Sequence, residues 1–175
     1  MTSSLSTTLV LGGARSGKSA FAEGLVREAN LPRIYVATAT AGDEDMRQRI
    51  ARHRLDRGQG WCTIEEPIAI VEILACETKE DCAILIDCLT LWLSNLMLGG
   101  HDVEGEIKRL AQTVKDTSQP IILVSNEVGL GLVPETALGR DFRDAQGHLN
   151  QAIAAAVPNV AFIAAGLPLW LKRTA

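Results

Sequence analysis

Gly12-Gly13-Ala14-Arg15-Ser16-Gly17-Lys18-Ser19 decides how the rest of the chain is read. The stretch fits the phosphate-cradling pattern G-x-x-x-x-G-K-[ST] at every defined position. Its glycines let the backbone turn tightly and bring several amide N–H groups toward an anion. Lys18 supplies a mobile positive charge for terminal phosphates, and Ser19 supplies a hydroxyl for Mg²⁺. The preceding run Leu9-Val10-Leu11 is short and apolar, as a buried strand requires. The residues after it read as a helix whose N-terminus faces the same anion. Strand, loop and helix in that order separate a working phosphate site from a ligand-free glycine turn.

Working outward, short β-rich apolar runs recur at Thr8–Gly12, Arg33–Ala37, Cys82–Asp87, Ile121–Ser125 and Val160–Ala164. Several are uninterrupted by charge, as in strands covered on both faces. Segments of helical period lie between them. Lys18–Ala29 puts Phe21, Ala22, Leu25 and Ala29 on one face, and Pro67 suits the first turn of a helix reaching Glu77. Asp102–Thr117 presents Val103, Ile107, Leu110 and Val114, and Asp141–Val157 presents Leu149, Ile153 and Ala156. The alternation predicts an α/β chain: a P-loop nucleotide-binding three-layer fold with a mostly parallel central sheet. Gly166–Lys172 is expected to add an antiparallel edge strand. No repeat, linker or composition break divides residues 1–175, so one domain is expected.

Hydrophobic residues make up 47% of the chain and charged residues 22%, which marks a folded domain rather than a disordered or fibrous one. A net charge of −4 gives no global reason to expect nucleic acid as a partner. Met1–Thr8 is polar and lacks the basic flank and apolar run of a signal peptide. No stretch approaches about 18 apolar residues, so no transmembrane segment is expected. Leu89–Leu98, apolar but short, reads as a buried helix or part of an oligomer contact. Cys62, Cys76, Cys82 and Cys88 form no CxxC pair; Cys82 and Cys88 read as small core residues. A cytoplasmic location follows as the default.

Two further groups carry chemistry. Asp87 ends the run Ala83-Ile-Leu-Ile-Asp87, where a carboxylate can hold Mg²⁺ directly or through water. Its competing role is to cap a helix beginning near Leu89. Asp43–His53 reads as a helix with acids first and bases later, the order the dipole favours. Met46, Ile50 and His53 share one face, with Arg49, Arg52, Arg54 and Arg57 around them. His53 is then either a packed histidine or a nucleophile toward phosphorus. The arginines would hold phosphates and also keep the imidazole neutral. His101, after Gly99-Gly100, reads as an exposed loop residue, and His148 as a surface residue of the last long helix.

Four segments together resemble the bifunctional adenosylcobinamide kinase/adenosylcobinamide-phosphate guanylyltransferase family. They are the P-loop, Met46–His53, Val124-Ser-Asn-Glu-Val-Gly-Leu-Gly-Leu-Val-Pro-Glu135 and Gly139-Arg-Asp-Phe-Arg-Asp-Ala-Gln-Gly-His-Leu-Asn-Gln151. The resemblance runs from Thr8 to Lys172. It implies phosphorylation of the aminopropanol hydroxyl of adenosylcobinamide by ATP or GTP. It then implies transfer of GMP from GTP to that phosphate, giving adenosylcobinamide-GDP and pyrophosphate. His53 is implied as the residue that carries GMP, and Lys18 as its catalytic companion on the phosphates. The implied nucleotide contacts are Gly12, Gly13, Ala14, Arg15, Ser16, Gly17, Lys18, Ser19, Arg54, Glu65 and Asp87, with Ser19 and Asp87 on the metal. A homotrimer, with sites near subunit boundaries, is implied as well.

Glu127 joins Glu65 as a candidate contact to guanine, metal or acceptor, whereas Glu66 reads as a helix-start acid. The chain departs from the family pattern at Arg57-Gly58, where relatives carry Arg-Pro before the tryptophan that is Trp61 here. Glycine removes the fixed backbone angle that proline supplies. Two other readings compete: a single-function P-loop small-molecule kinase, and a GTP-binding switch.

Overall fold

The computed structural model describes residues 5–40, 47–48, 55, 57–77 and 81–174. Its strands are β1 (Thr8–Gly12), β2 (Arg33–Ala37), β3 (Trp61–Glu65), β4 (Ala83–Asp87), β5 (Ile121–Asn126), β6 (Asn159–Ala164) and β7 (Leu167–Lys172). The described helices are α1 (Lys18–Glu28), α2 (Ile70–Glu77), α3 (Leu89–Leu98), α4 (Val103–Asp116) and α5 (Ala137–Ala156). The strands form one sheet in the order β3-β2-β4-β5-β1-β6-β7. Every neighbouring pair is parallel except β6 and β7, which run antiparallel. The expected three-layer fold and its antiparallel edge strand are therefore present.

Side-chain alternation along the strands divides the core. Leu9, Leu11, Ile84, Ile86, Ile121 and Leu123 point to one face, where Leu74 of α2, Trp92 of α3, Leu110 of α4 and Ile153 of α5 cover them. Val10, Leu85, Ile122 and Val124 point to the other, against Ala22 and Val26 of α1. Burying each such side chain is worth about 1.5–3 kcal/mol, so a one-residue slip that turned either stripe outward is strongly disfavoured. The resulting register sets Gly12 opposite both Asn126 and Ile163, and Asp87 opposite Ala37 and Val124. The parallel strands thus deliver their C-terminal residues to one edge, where open α/β sheets bind ligands.

The structure differs from the sequence expectation at three places. Strand β3 carries no apolar run; Cys62 and Thr63 are exposed because it forms the sheet edge. Helix α5 begins at Ala137 rather than Asp141, because Thr136 caps it by accepting from the Gly139 amide at 3.1 Å. Helix α2 begins at Ile70, leaving Pro67 outside its first turn. Glu66 Oε1 holds the approach by accepting from the Ile68 and Ala69 amides at 2.9 and 2.8 Å, in keeping with a helix-start acid.

Candidate functional site

The chain leaves β1 at Gly12 with no room for a side chain. A Cβ there would lie 2.5 Å from Ser16 Oγ and 2.7 Å from the Ile163 carbonyl oxygen. The loop closes with the Ser16 amide donating to Gly13 O at 3.3 Å, while Arg15 adopts a φ of 56°. Gly17, at φ 94°, begins α1. Lys18 Nζ donates to Gly13 O at 3.1 Å, so the ammonium lies folded over the loop. The β6–β7 turn braces the loop from outside, with the Gly166 amide donating to Ser16 O at 2.8 Å. Ser16 Oγ is buried and has no hydrogen-bond partner among the described residues, a cost that a bound phosphate oxygen would remove.

Electrostatically, the start of α1 differs from those of α4 and α5. It has neither a side-chain cap nor an acid in its first turn. In contrast, Asp102 caps α4, which also carries Glu104 and Glu106 in its first turn, and Thr136 caps α5. The first amides of α1 and its positive dipole end therefore remain available to an anion.

Asp87 stands at the end of β4. Its Oδ2 accepts from the Tyr35 hydroxyl at 3.1 Å, which orients the carboxylate without using Oδ1. Helix α3 is entered through Cys88 and has no side-chain cap, so Asp87 does not cap it. Buried Thr38 fastens this corner: its hydroxyl donates to Cys88 O at 2.7 Å and accepts from the Cys88 amide at 2.9 Å. Burial, reinforced by the Asp87 charge, pushes the Tyr35 phenol pKa upward. The same two causes raise the Cys88 thiol to about 11.

A buried polar network fixes the end of β5 beside the loop. Ser125 Oγ donates to Asn150 Oδ1 at 2.7 Å and accepts from Gln146 Nε2 at 2.9 Å. Asn150 Nδ2 holds the Asn126 carbonyl at 3.1 Å, and Thr90 Oγ1 accepts from the Asn126 amide at 2.8 Å. The Glu127 amide then donates to Gly12 O at 3.1 Å, tying β5 to the start of the phosphate loop. Sequence reading did not single out Tyr35, Thr38, Thr90 or Gln146. The available signal was polar residues within apolar stripes, with Gln146 and Asn150 one helical turn apart on the face that also buries Leu149 and Ile153.

The edge thus gathers Gly12, Gly13, Ala14, Arg15, Ser16, Gly17, Lys18 and Ser19 on one connection and Asp87 two strands away. Glu65 ends β3, about 19 Å from β1 at the usual strand spacing, and is exposed. Glu127 is half-buried and turns back to accept from the Gly129 amide at 2.5 Å. His101 and His148 are exposed. His53, Arg54, Arg49 and Arg52 lie outside the described residues. Cys82 and Cys88 are buried, as expected, while Cys62 and Cys76 are exposed.

A glycine loop between strand and uncapped helix, a lysine over it and a strand-end acid define a P-loop nucleotide-binding α/β protein. Residues 8–171 match the family model described as cobinamide kinase/cobinamide phosphate guanyltransferase, and the chain belongs to that family. It is 48% identical over 166 residues to the bifunctional adenosylcobalamin biosynthesis protein CobP of Pseudomonas aeruginosa, covering 94% of this chain and 96% of that one. It is 36% identical over 180 residues to the bifunctional adenosylcobalamin biosynthesis protein CobU of Salmonella typhimurium, covering 94% and 98%. Among solved structures, the flagellar accessory protein FlaH of Methanocaldococcus jannaschii is similar with a TM-score of 0.56 at 15% identity, covering 97% of this chain and 79% of that one. That likeness speaks to the fold alone. No helix among the described residues is long and apolar enough to cross a membrane.

Proposed function

We propose that this chain phosphorylates the aminopropanol hydroxyl of adenosylcobinamide and then transfers GMP from GTP to the new phosphate, giving adenosylcobinamide-GDP. Family membership supports both reactions. The observation that carries the reading is the phosphate loop, with Lys18 folded over uncapped amides and Asp87 on the same sheet edge.

In the first reaction the loop amides and Lys18 hold the terminal phosphates of ATP or GTP. The corrinoid hydroxyl oxygen attacks the γ-phosphorus, and the bond to the departing nucleoside diphosphate breaks. In the second, a ring nitrogen of His53 attacks the α-phosphorus of GTP and pyrophosphate leaves. The cobinamide phosphate oxygen then displaces histidine from that phosphorus, completing the second displacement. Arg15 and Arg54 neutralise charge on the shifting phosphates, and Glu65 contacts the guanine nucleotide.

Ser19 and Asp87 fit Mg²⁺, which favours hard oxygen donors and takes one or two protein ligands beside phosphates and water. When bound there, the cation would withdraw the charge that develops on the phosphate oxygens. The Tyr35 bond holds Asp87 in one orientation for that task.

We further propose one domain spanning residues 1–175, a cytoplasmic location and a homotrimer. Leu130, Leu132 and Val133 are 83%, 96% and 63% exposed, and Leu138 lines a largely apolar groove of about 300 Å³ together with Met97, Leu98 and Phe142. Such a surface supports burial against another copy, and the family resemblance supplies the trimeric count.

The decisive experiment uses GTP labelled at the α-phosphate. Acid-labile, base-stable label is expected on the protein and not on His53→Ala. A protein that phosphorylates adenosylcobinamide yet never takes up label, and forms no adenosylcobinamide-GDP, is instead a single-function kinase.

A further inference from the structure

A stack of side chains adjoins Asp87 through Tyr35. Arg57 is only 6% exposed, although arginine is seldom buried without a carboxylate partner. Among the described residues it makes no ion pair. Its guanidinium carbon lies 3.5 Å from the centroid of the Tyr35 ring, and its Nη2 donates to Thr63 Oγ1 at 2.9 Å. Its Nε is buried without a hydrogen-bond partner among the described residues. Its carbonyl accepts from Arg27 Nη2 at 3.1 Å, and the same nitrogen donates to Glu23 Oε2 at 2.8 Å. Trp61 closes the stack, edge-on to Tyr35 at 6.0 Å between centroids.

Tyr35 is therefore held from two sides. Its ring is pinned beneath Arg57, and its hydroxyl is committed to Asp87. Arg57 in turn follows His53 by four residues in the chain. A hydrophobic side chain could fill the same space without the cost of a buried cation, so packing alone does not account for arginine there. Arginine differs in stacking flat on an aromatic face while still donating hydrogen bonds.

We propose that Tyr35 and Arg57 are positioning residues for the Asp87 carboxylate at the cation-holding end of β4. Tyr35 sets the orientation of the Asp87 carboxylate. Arg57 fixes Tyr35 and is itself held through Thr63 and Arg27. Binding of the cation then depends on one stack of side chains. The inference rests on the role given above to Asp87.

The test uses the full chain carrying Tyr35→Phe, which keeps the ring, and Arg57→Met, which keeps an unbranched stem. Mn²⁺ binding in the presence of ADP is read from the electron paramagnetic resonance signal of free Mn²⁺. Labelling of the protein by α-labelled GTP is read at subsaturating Mg²⁺, and thermal midpoints are recorded alongside. Loss of one hydrogen bond predicts Mn²⁺ binding weakened about 3–10-fold in Tyr35→Phe. Arg57→Met is expected to weaken it as well, without touching Asp87, and both variants are expected to slow labelling. In the double variant the effects should combine to less than their product, since one residue acts through the other. Unchanged Mn²⁺ affinity, independent multiplying effects, or losses that merely follow the unfolded fraction overturn the proposal. Asp87→Asn separates the two levels. If it abolishes Mn²⁺ binding while Tyr35→Phe does not weaken it, only the relay fails. If Asp87→Asn binds Mn²⁺ as before, the metal assignment fails and the relay with it.

Discussion

Helices α1 and α3 both begin without a side-chain cap, yet their free N-termini serve different ends. The start of α1 follows a glycine loop and lies open, with Gly17 exposed and no acid nearby in its first turn. The start of α3 is sealed, with Cys88 8% exposed and Leu89 fully buried. At α3 the Leu91 and Thr90 amides favour a thiolate, but burial outweighs them and the thiol is held protonated. A helix N-terminus attracts an anion only where the anion need not leave water unaided.

The largest expected effect breaks the open end. Lys18→Ala removes the ammonium folded over Gly13 while leaving the core untouched. Loss of one preorganised charge on the transferring group predicts a fall in adenosylcobinamide phosphorylation on the order of 10²–10³-fold. Steady-state kinetics check this, and an undiminished rate would remove the loop from the reaction. The thermal midpoint should scarcely move.

The sealed end is tested by pH. The Cys88 thiol is raised from 9.0 to about 11, chiefly by burial, so the fold favours its neutral form. That preference contributes stability fully below pH 9, and it is lost as pH rises from 9 toward 11. The displacement corresponds to about 3 kcal/mol. Urea titrations at stepped pH should show stability falling across that window, and Cys88→Ala should flatten the fall. Tyr35 is shifted in the same direction by burial and Asp87, so some decline should persist in the variant. Iodoacetamide at pH 8 should modify the exposed Cys62 and Cys76 well ahead of Cys88.

The contrast between the two helix starts also marks what could be read from sequence. The phosphate loop was legible because its chemistry is local: a turn, a lysine and a hydroxyl within one contiguous stretch. Buried strands β1, β4 and β5 were legible because apolar runs leave no alternative face. Strand β3 was not, since an edge strand needs burial on only part of its length. Nor was the cradle of Asp87, whose partner Tyr35 lies 52 positions away and meets it only through β2–β4 pairing. The Ser125–Gln146–Asn150 network was hidden for the same reason. Its polar atoms pair across two elements, and polarity alone does not say with what. The role proposed for His53 comes from the likeness of whole segments to a family, and no local rule supplies it.

A smaller change deforms the open end without removing its charge. Gly17 has φ 94°, and a Cβ there would stand 3.1 Å from Gly166 Cα, a backbone atom that cannot step aside alone. Gly17→Ala should therefore cost about 1–2 kcal/mol of stability, the usual penalty for an L-residue in this region. It should weaken ADP binding more than that implies, because the amides around it shift together. Calorimetric titration against denaturant stability separates the two losses. Equal and minor losses would show that the loop relaxes freely.

The least effect is expected where a helix start is capped and far from the chemistry. Asp102 accepts from the Gly105 amide at 3.1 Å and leads into Glu104 and Glu106, the acids that α1 lacks. Asp102→Ala turns the start of α4 into an uncapped one, though it remains acidic. The lost cap should cost about 1 kcal/mol, seen as a lowered denaturation midpoint with an unchanged m-value. Neither nucleotide binding nor either transfer rate should change, because Glu104 and Glu106 still repel an anion there. A gain of phosphate binding at α4 in this variant would mean that freeing the amides suffices. Its absence would mean that removing acids from the first turn, as in α1, matters as much as leaving the donors free.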